Sequence, residues 1–162
     1  MEGNLILSSL ILIVSTALFF FYLEAACRRI LARQFDQEFF HAVVDASRLE
    51  FLSIRKAVEA FNGPLDYERC RVMLKCDFLS LTYLLKNAGR TRKHYTREDW
   101  LLVLYFRLMW VSLAARHTLG LQVKPPVMKL TAILQYFANV VGKRVSEIRF
   151  TNPAVEEFLS SI

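Results

Sequence analysis

The sequence predicts an all-α protein: an N-terminal single transmembrane helix continuing into a cytoplasmic four-to-five-helix bundle. Three observations carry that expectation. Leu5 to Leu23 is an unbroken apolar run. Downstream, polar residues recur at spacings of three and four, the period of one helix face. Gly and Pro are scarce, five and four in 162 residues, and they fall where the periodic segments stop. No stretch sustains period-two alternation, so no strand is expected.

The run LILSSLILIVSTALFFFYL holds nineteen residues without a charge, a Gly or a Pro. Crossing the hydrocarbon core takes roughly 20 apolar residues at about 1.5 Å each. Ser8, Ser9, Ser15 and Thr16 are small enough to bond back to carbonyls of their own helix. Phe19, Phe20, Phe21 and Tyr22 suit the headgroup level at one end. A buried core helix is the rival reading, but a soluble domain of this size seldom needs a helix apolar all round. A cleaved signal peptide needs a basic start and a small-x-small site. Met1-Glu2-Gly3-Asn4 is acidic instead. Glu24-Ala25-Ala26-Cys27 is similar to a lipoprotein cleavage site, except that Glu24 stands where an apolar residue is needed.

Residues 1–27 are therefore read as a transmembrane anchor and 28–162 as a helical cytoplasmic domain. No Lys or Arg precedes the span, whereas Arg28, Arg29 and Arg33 follow it. By the positive-inside rule the N-terminus lies outside and the body in the cytoplasm, or in the equivalent matrix or stroma. All 21 basic residues lie after Leu23. Of the 15 acidic residues, Glu2 and Glu24 precede Arg28, so the body carries 21 basic against 13 acidic groups, a net +8. Such a charge suits anionic lipid headgroups, at about 1 kcal/mol per nearby Lys or Arg. A solubilising surface would look the same. Besides Arg28, Arg29 and Arg33, the basic residues expected at the membrane surface are Arg90, Arg92 and Lys93.

Within the body, the first helix is expected to run to about Phe61, with a polar stripe of Glu38, His41, Asp45, Arg48, Arg55 and Glu59. From Leu5 to Phe61 there is no Gly or Pro, so span and first body helix are expected to form one helix of about 57 residues, roughly 85 Å long at about 1.5 Å per residue. Asp66 is a good N-cap for a second helix reaching Asn87. Thr96-Arg97-Glu98-Asp99 resembles a capping box opening a third, which Gly120 should end. Its segment from Trp100 to Ala115, with Arg107 near the middle, is read as a core helix rather than a second span. Pro125-Pro126 opens a fourth helix, expected to stop near Gly142. There Thr131, Gln135 and Asn139 form a polar line opposite Leu130, Ile133, Leu134, Phe137, Val140 and Val141. Asn152-Pro153 reads as the start of a short terminal helix.

The chemistry-bearing patterns are few. There is no G-x-S-x-G, P-loop, G-x-G-x-x-G or H-E-x-x-H. Glu38-Phe39-Phe40-His41 gives one E-x-x-H where a di-iron bundle needs two, so a solvated face is the better account. His94 sits in the basic loop and His117 near a helix C-terminus, where the macrodipole favours it. No catalytic residue, metal or cofactor is implied. Cys27, Cys70 and Cys76 form an odd set without CxxC, which fits a reducing compartment. Cys27, at the membrane edge, is open to S-acylation in a eukaryote. Asp77 and Arg107 each break an apolar face. A buried charge is costly unless paired, so they are expected to form a buried ion pair.

Two functions follow. The first is a non-catalytic membrane-anchored helical accessory subunit or adaptor. It would dock on a larger membrane protein complex through its span and its aromatic-rich helices, and 13 Phe favour that. The alternative is a small membrane-tethered enzyme or ligand-binding bundle using the Asp77 and Arg107 region. Nucleic acid ranks behind both as a partner, because one short basic loop is a weak footprint.

Overall fold

The computed structural model describes residues 2–33, 39–60, 66–87 and 96–151, with side chains between 6 and 146. Six helices and no strand occur among these residues. The chain divides into two compact units, Met1–Arg33 and Gln34–Ile162.

The first unit is one helix, α1 (Glu2–Leu31). Ile6, Leu10, Ile13, Leu18 and Phe21 are all exposed, so the helix is apolar round its circumference rather than along one face. Its segment Ile6–Leu31 is long and apolar enough to cross a bilayer, with a mean hydropathy of 2.4. Thr16 Oγ1 donates to the Leu12 carbonyl at 2.8 Å, as the sequence suggested for its small polar members. Arg28 bonds Glu24 one turn back at 2.9 Å, and Arg28 and Arg29 lie at the negative end of the helix dipole. The last bond shortens to a three-residue span, from Arg33 N–H to the Ile30 carbonyl at 3.2 Å.

The second unit contains α2 (Phe40–Ser47), α3 (Phe51–Ala60), α4 (Tyr67–Asn87), α5 (Arg97–Thr118) and α6 (Lys124–Thr151). The expected single helix from Leu5 to Phe61 is thus corrected twice. It ends at Leu31, and α2 and α3 are separated at Arg48–Glu50. Arg48 adopts φ 50° and ψ 47°, a left-handed conformation that ends α2. A non-glycine residue there costs about 1–2 kcal/mol, so some tertiary contact must favour the break.

The starts of α4 and α5 follow local signals. Asp66 Oδ1 accepts from Arg69 N–H at 3.3 Å. Thr96 and Asp99 exchange side-chain and backbone bonds at 3.1 and 3.0 Å, closing the capping box. At the far end of α5, Gly120 has φ +65°. Leu121 N–H reaches the Arg116 carbonyl at 2.8 Å and Gly120 N–H that of His117 at 3.1 Å, the Schellman arrangement. The expected breaks at 61–65 and the basic loop at 88–95 lie outside the described residues, as does the short helix expected after Asn152.

α6 is the axis of this unit: α2, α3, α4 and α5 all pack against it. Leu130, Ile133, Leu134, Phe137 and Ala138 are fully buried. Pro125 and Pro126 fall in its first turn, where the missing N–H groups would have no helical partner. One expectation about this helix is overturned. Gly142 does not stop it. The polar line Thr131–Gln135–Asn139 faces inward, with Thr131 and Asn139 buried. α5 likewise buries Leu102, Tyr105, Phe106 and Leu113, which makes it the core helix that was expected.

Gly142 is a glycine because the backbone of Phe39 lies against it. A Cβ at 142 would come 2.6 Å from Phe39 Cβ and 2.7 Å from the Phe39 carbonyl oxygen. In an open helix interior, Gly→Ala would stabilise by about 1 kcal/mol. Here Gly142→Ala is expected to destabilise by about 1–3 kcal/mol through overpacking. Thermal denaturation of the full chain in mild detergent reads the sign, and a raised midpoint would disprove the seating of Phe39 on α6.

Candidate functional site

The two charges singled out in the sequence do not meet. Asp77 is buried as expected, but Arg107 is exposed. The carboxylate of Asp77 instead faces the start of α3. Its Oδ2 accepts from Glu50 N–H at 2.9 Å and Phe51 N–H at 2.7 Å. These are amides of a helix N-terminus, which have no partner within the helix and lie at its positive end. Burial pushes the Asp77 carboxyl above its ordinary value, and the two amide bonds oppose that rise without cancelling it.

The same device recurs at α2. Asn139 Oδ1, on α6, accepts from Phe39 N–H and Phe40 N–H, both at 3.0 Å. Next along the inward line, Gln135 Oε1 accepts from Arg55 of α3 at 2.6 Å. A third tie joins three helices at one end of the bundle. Arg144 of α6 reaches Asp99 at 3.0 Å and the Leu85 carbonyl at 2.9 Å. Asp99 is buried, so this, rather than Asp77–Arg107, is an ion pair of the interior. Asn139 carried a signal, since it lies on the polar line of α6, whereas Arg144 is one of several basic residues on that helix and did not stand out. Their partners, being backbone groups or a capping residue far along the chain, carried none.

The remaining candidates are dispersed. His117 stacks on Tyr67 with ring centroids 3.7 Å apart. His41 is exposed on α2, and its partner in the E-x-x-H pattern, Glu38, lies outside the described residues, as do Arg90, Arg92, Lys93 and His94. Arg28, Arg29 and Arg33 are exposed. No group of three His, Cys, Asp or Glu able to hold a metal occurs among the described residues. Cys70 is a buried thiol pushed up to about 11 by that burial and by Asp66, and Cys76 is exposed.

What the body does present is an apolar surface. Along α4, Val72, Leu79 and Tyr83 are exposed, with Cys76 among them, at successive spacings of four, three and four. Along α5, Trp100 and Val111 are exposed. The two helices run antiparallel through stacked rings: Tyr67 against His117 at 3.7 Å and Phe78 against Phe106 at 3.9 Å. Arg71 lies 6.0 Å from the ring centres of both Tyr67 and Trp110. No family model matches the chain, and neither a curated protein nor a solved structure matches it.

The role of Asp77 can be separated from that of a reactive carboxylate. Asp77→Ala leaves the buried Phe51 amide and the part-buried Glu50 amide without their acceptor and is expected to lose about 1–3 kcal/mol. Asp77→Asn keeps an acceptor oxygen and is expected to stay close to the parent. The folded carboxyl is raised above its unfolded value, so the folded state holds the proton more tightly. Stability should therefore fall as pH rises through the window just above the ordinary carboxylate range. The Asn variant should lack that slope. Melting curves across acidic to neutral pH check this, and an Asn variant as damaged as the Ala variant would exclude the capping role.

Proposed function

We propose that the chain is a non-catalytic accessory subunit or adaptor of a larger membrane protein complex, anchored by α1. In this reading α1 crosses the bilayer with the N-terminus outside, and the helical unit lies in the cytoplasm or its matrix or stromal equivalent. Arg28, Arg29 and Arg33, with no Lys or Arg before the span, support that orientation. The observation that carries the reading is the placement of Asp77. The residue offered as the centre of a ligand or catalytic site has its carboxylate on the amides that start α3. Asn139, Asp99 and Arg144 are likewise engaged at helix ends. The buried polar groups of the body thus hold helices in place, which favours a scaffold over an enzyme.

The experiment is purification of the full chain from its native membrane in mild detergent. The expected result is a stable stoichiometric complex with an integral membrane protein. Recovery of the chain alone would overturn the subunit reading. N-terminal sequencing of the mature chain should find residues upstream of the span intact, and a mature chain that begins at Cys27 would replace the transmembrane anchor with a cleaved leader.

A further inference from the structure

We infer that the outer face of the α4–α5 pair rests on an anionic membrane leaflet. The inference relies on the proposed reading of α1 as a span. Both helices bury one side against α6. The opposite side of α4 carries Val72 at 58 %, Leu79 at 56 % and Tyr83 at 69 % exposure, and that of α5 carries Trp100 at 60 % and Val111 at 65 %. The stacked pairs Tyr67–His117 and Phe78–Phe106 set the helices side by side, so the two apolar stripes share one surface. Scattered apolar side chains need no explanation, but large ones recurring on the outer sides of two neighbouring helices do.

Charge selects the occupant. Arg69, Arg71, Lys75, Lys86, Arg97 and Arg107 are exposed on these two helices, against one exposed carboxylate, Glu68. Glu68 itself lies 4.0 Å from Arg71. A second copy of the chain would bring two such basic surfaces together, which like-charge repulsion opposes. An anionic bilayer supplies both requirements at once, an acyl boundary for apolar side chains and acidic headgroups for the rim. Tyr and Trp are the side chains that favour that boundary. Only eight residues, 32–39, separate α1 from α2, so a bilayer crossed by α1 is held at high local concentration beside the body.

Cys76 is a natural probe within the stripe. It is exposed, whereas Cys27 and Cys70 are buried, and the raised Cys70 thiol is unreactive near neutral pH. The full chain is spin-labelled at Cys76, with Cys76→Ser as the unlabelled control, and reconstituted into protein-free liposomes with or without phosphatidylglycerol. With the anionic lipid, the label is expected to lose access to a water-soluble nickel chelate and gain access to lipid-dissolved oxygen. Lys75→Glu, Lys86→Glu and Arg107→Glu together, all at exposed positions, are expected to abolish that change. A label equally open to the chelate in both liposomes overturns the inference. So does shielding accompanied by label–label broadening, which reports a second copy. Shielding that occurs in native membranes but in neither liposome assigns the face to a protein and also overturns it. Flotation and alkaline extraction are read in parallel: a chain that fails to integrate refutes the span, whereas one that integrates with an open label refutes only the lipid contact.

Discussion

The helical body depends on buried acceptors placed at the starts of its short helices. Every helix begins with four N–H groups that lack an internal partner. At α2 and α3 the first helical residues, Phe40 and Phe51, are buried, so their amides need a partner within the protein. Neither helix brings its own acceptor: Phe39 precedes α2 without a capping side chain. Asn139 and Asp77 supply it from the long helices α6 and α4. A cap is worth about 0.5–2 kcal/mol, but its larger effect is geometric, because it fixes where a short helix begins against a long one. Phe39 can then lie on Gly142, where only a hydrogen leaves room.

The sequence showed these features unevenly, for a physical reason. Asp66, the Thr96–Asp99 box and Gly120 act on backbone within a few residues of themselves, and their helix limits were legible. The break at Arg48–Glu50 was not. No Gly or Pro marks it, and Arg48 sits in a conformation its own chemistry disfavours. The cause lies at Asp77, 26 residues beyond Phe51. The clue is a charge on an apolar face, which in sequence alone looks like a demand for a cation. Two amides at a helix start answer the same demand without desolvating a second charge.

Arg107 shows the opposite error. Val103, Leu104, Trp110 and Val111 surround it in sequence, which suggested burial. Yet Val111 is exposed, as is Trp100 one turn beyond Leu104. Neighbour identity distinguishes an apolar environment from a polar one, but it cannot tell a core from an uncovered apolar surface. The inverse holds on α6, where the line Thr131–Gln135–Asn139 is polar and yet faces inward. Inside, Asn139 accepts from the amides that start α2 and Gln135 accepts from Arg55 of α3. A local pattern marks the faces of a helix, and which face is covered depends on the other helices available to cover it.

The end of α1 at Leu31 also changes what the body requires of its surroundings. A continuous helix from span to bundle would have set the body's height and orientation against the bilayer by itself, and that argument for a rigidly held subunit does not survive. If α1 spans the membrane and the chain serves a fixed assembly, contacts made by the body's own surface are a source of orientation. Contacts that hold a helical body in an assembly need breadth and chemical definition. The interior groups are ill suited to this, being engaged at helix starts. The antiparallel α4–α5 layer is suited to it: two helices of 21 and 22 residues carry parallel apolar stripes and one dominant sign of charge, a surface with both an attractive footprint and a direction.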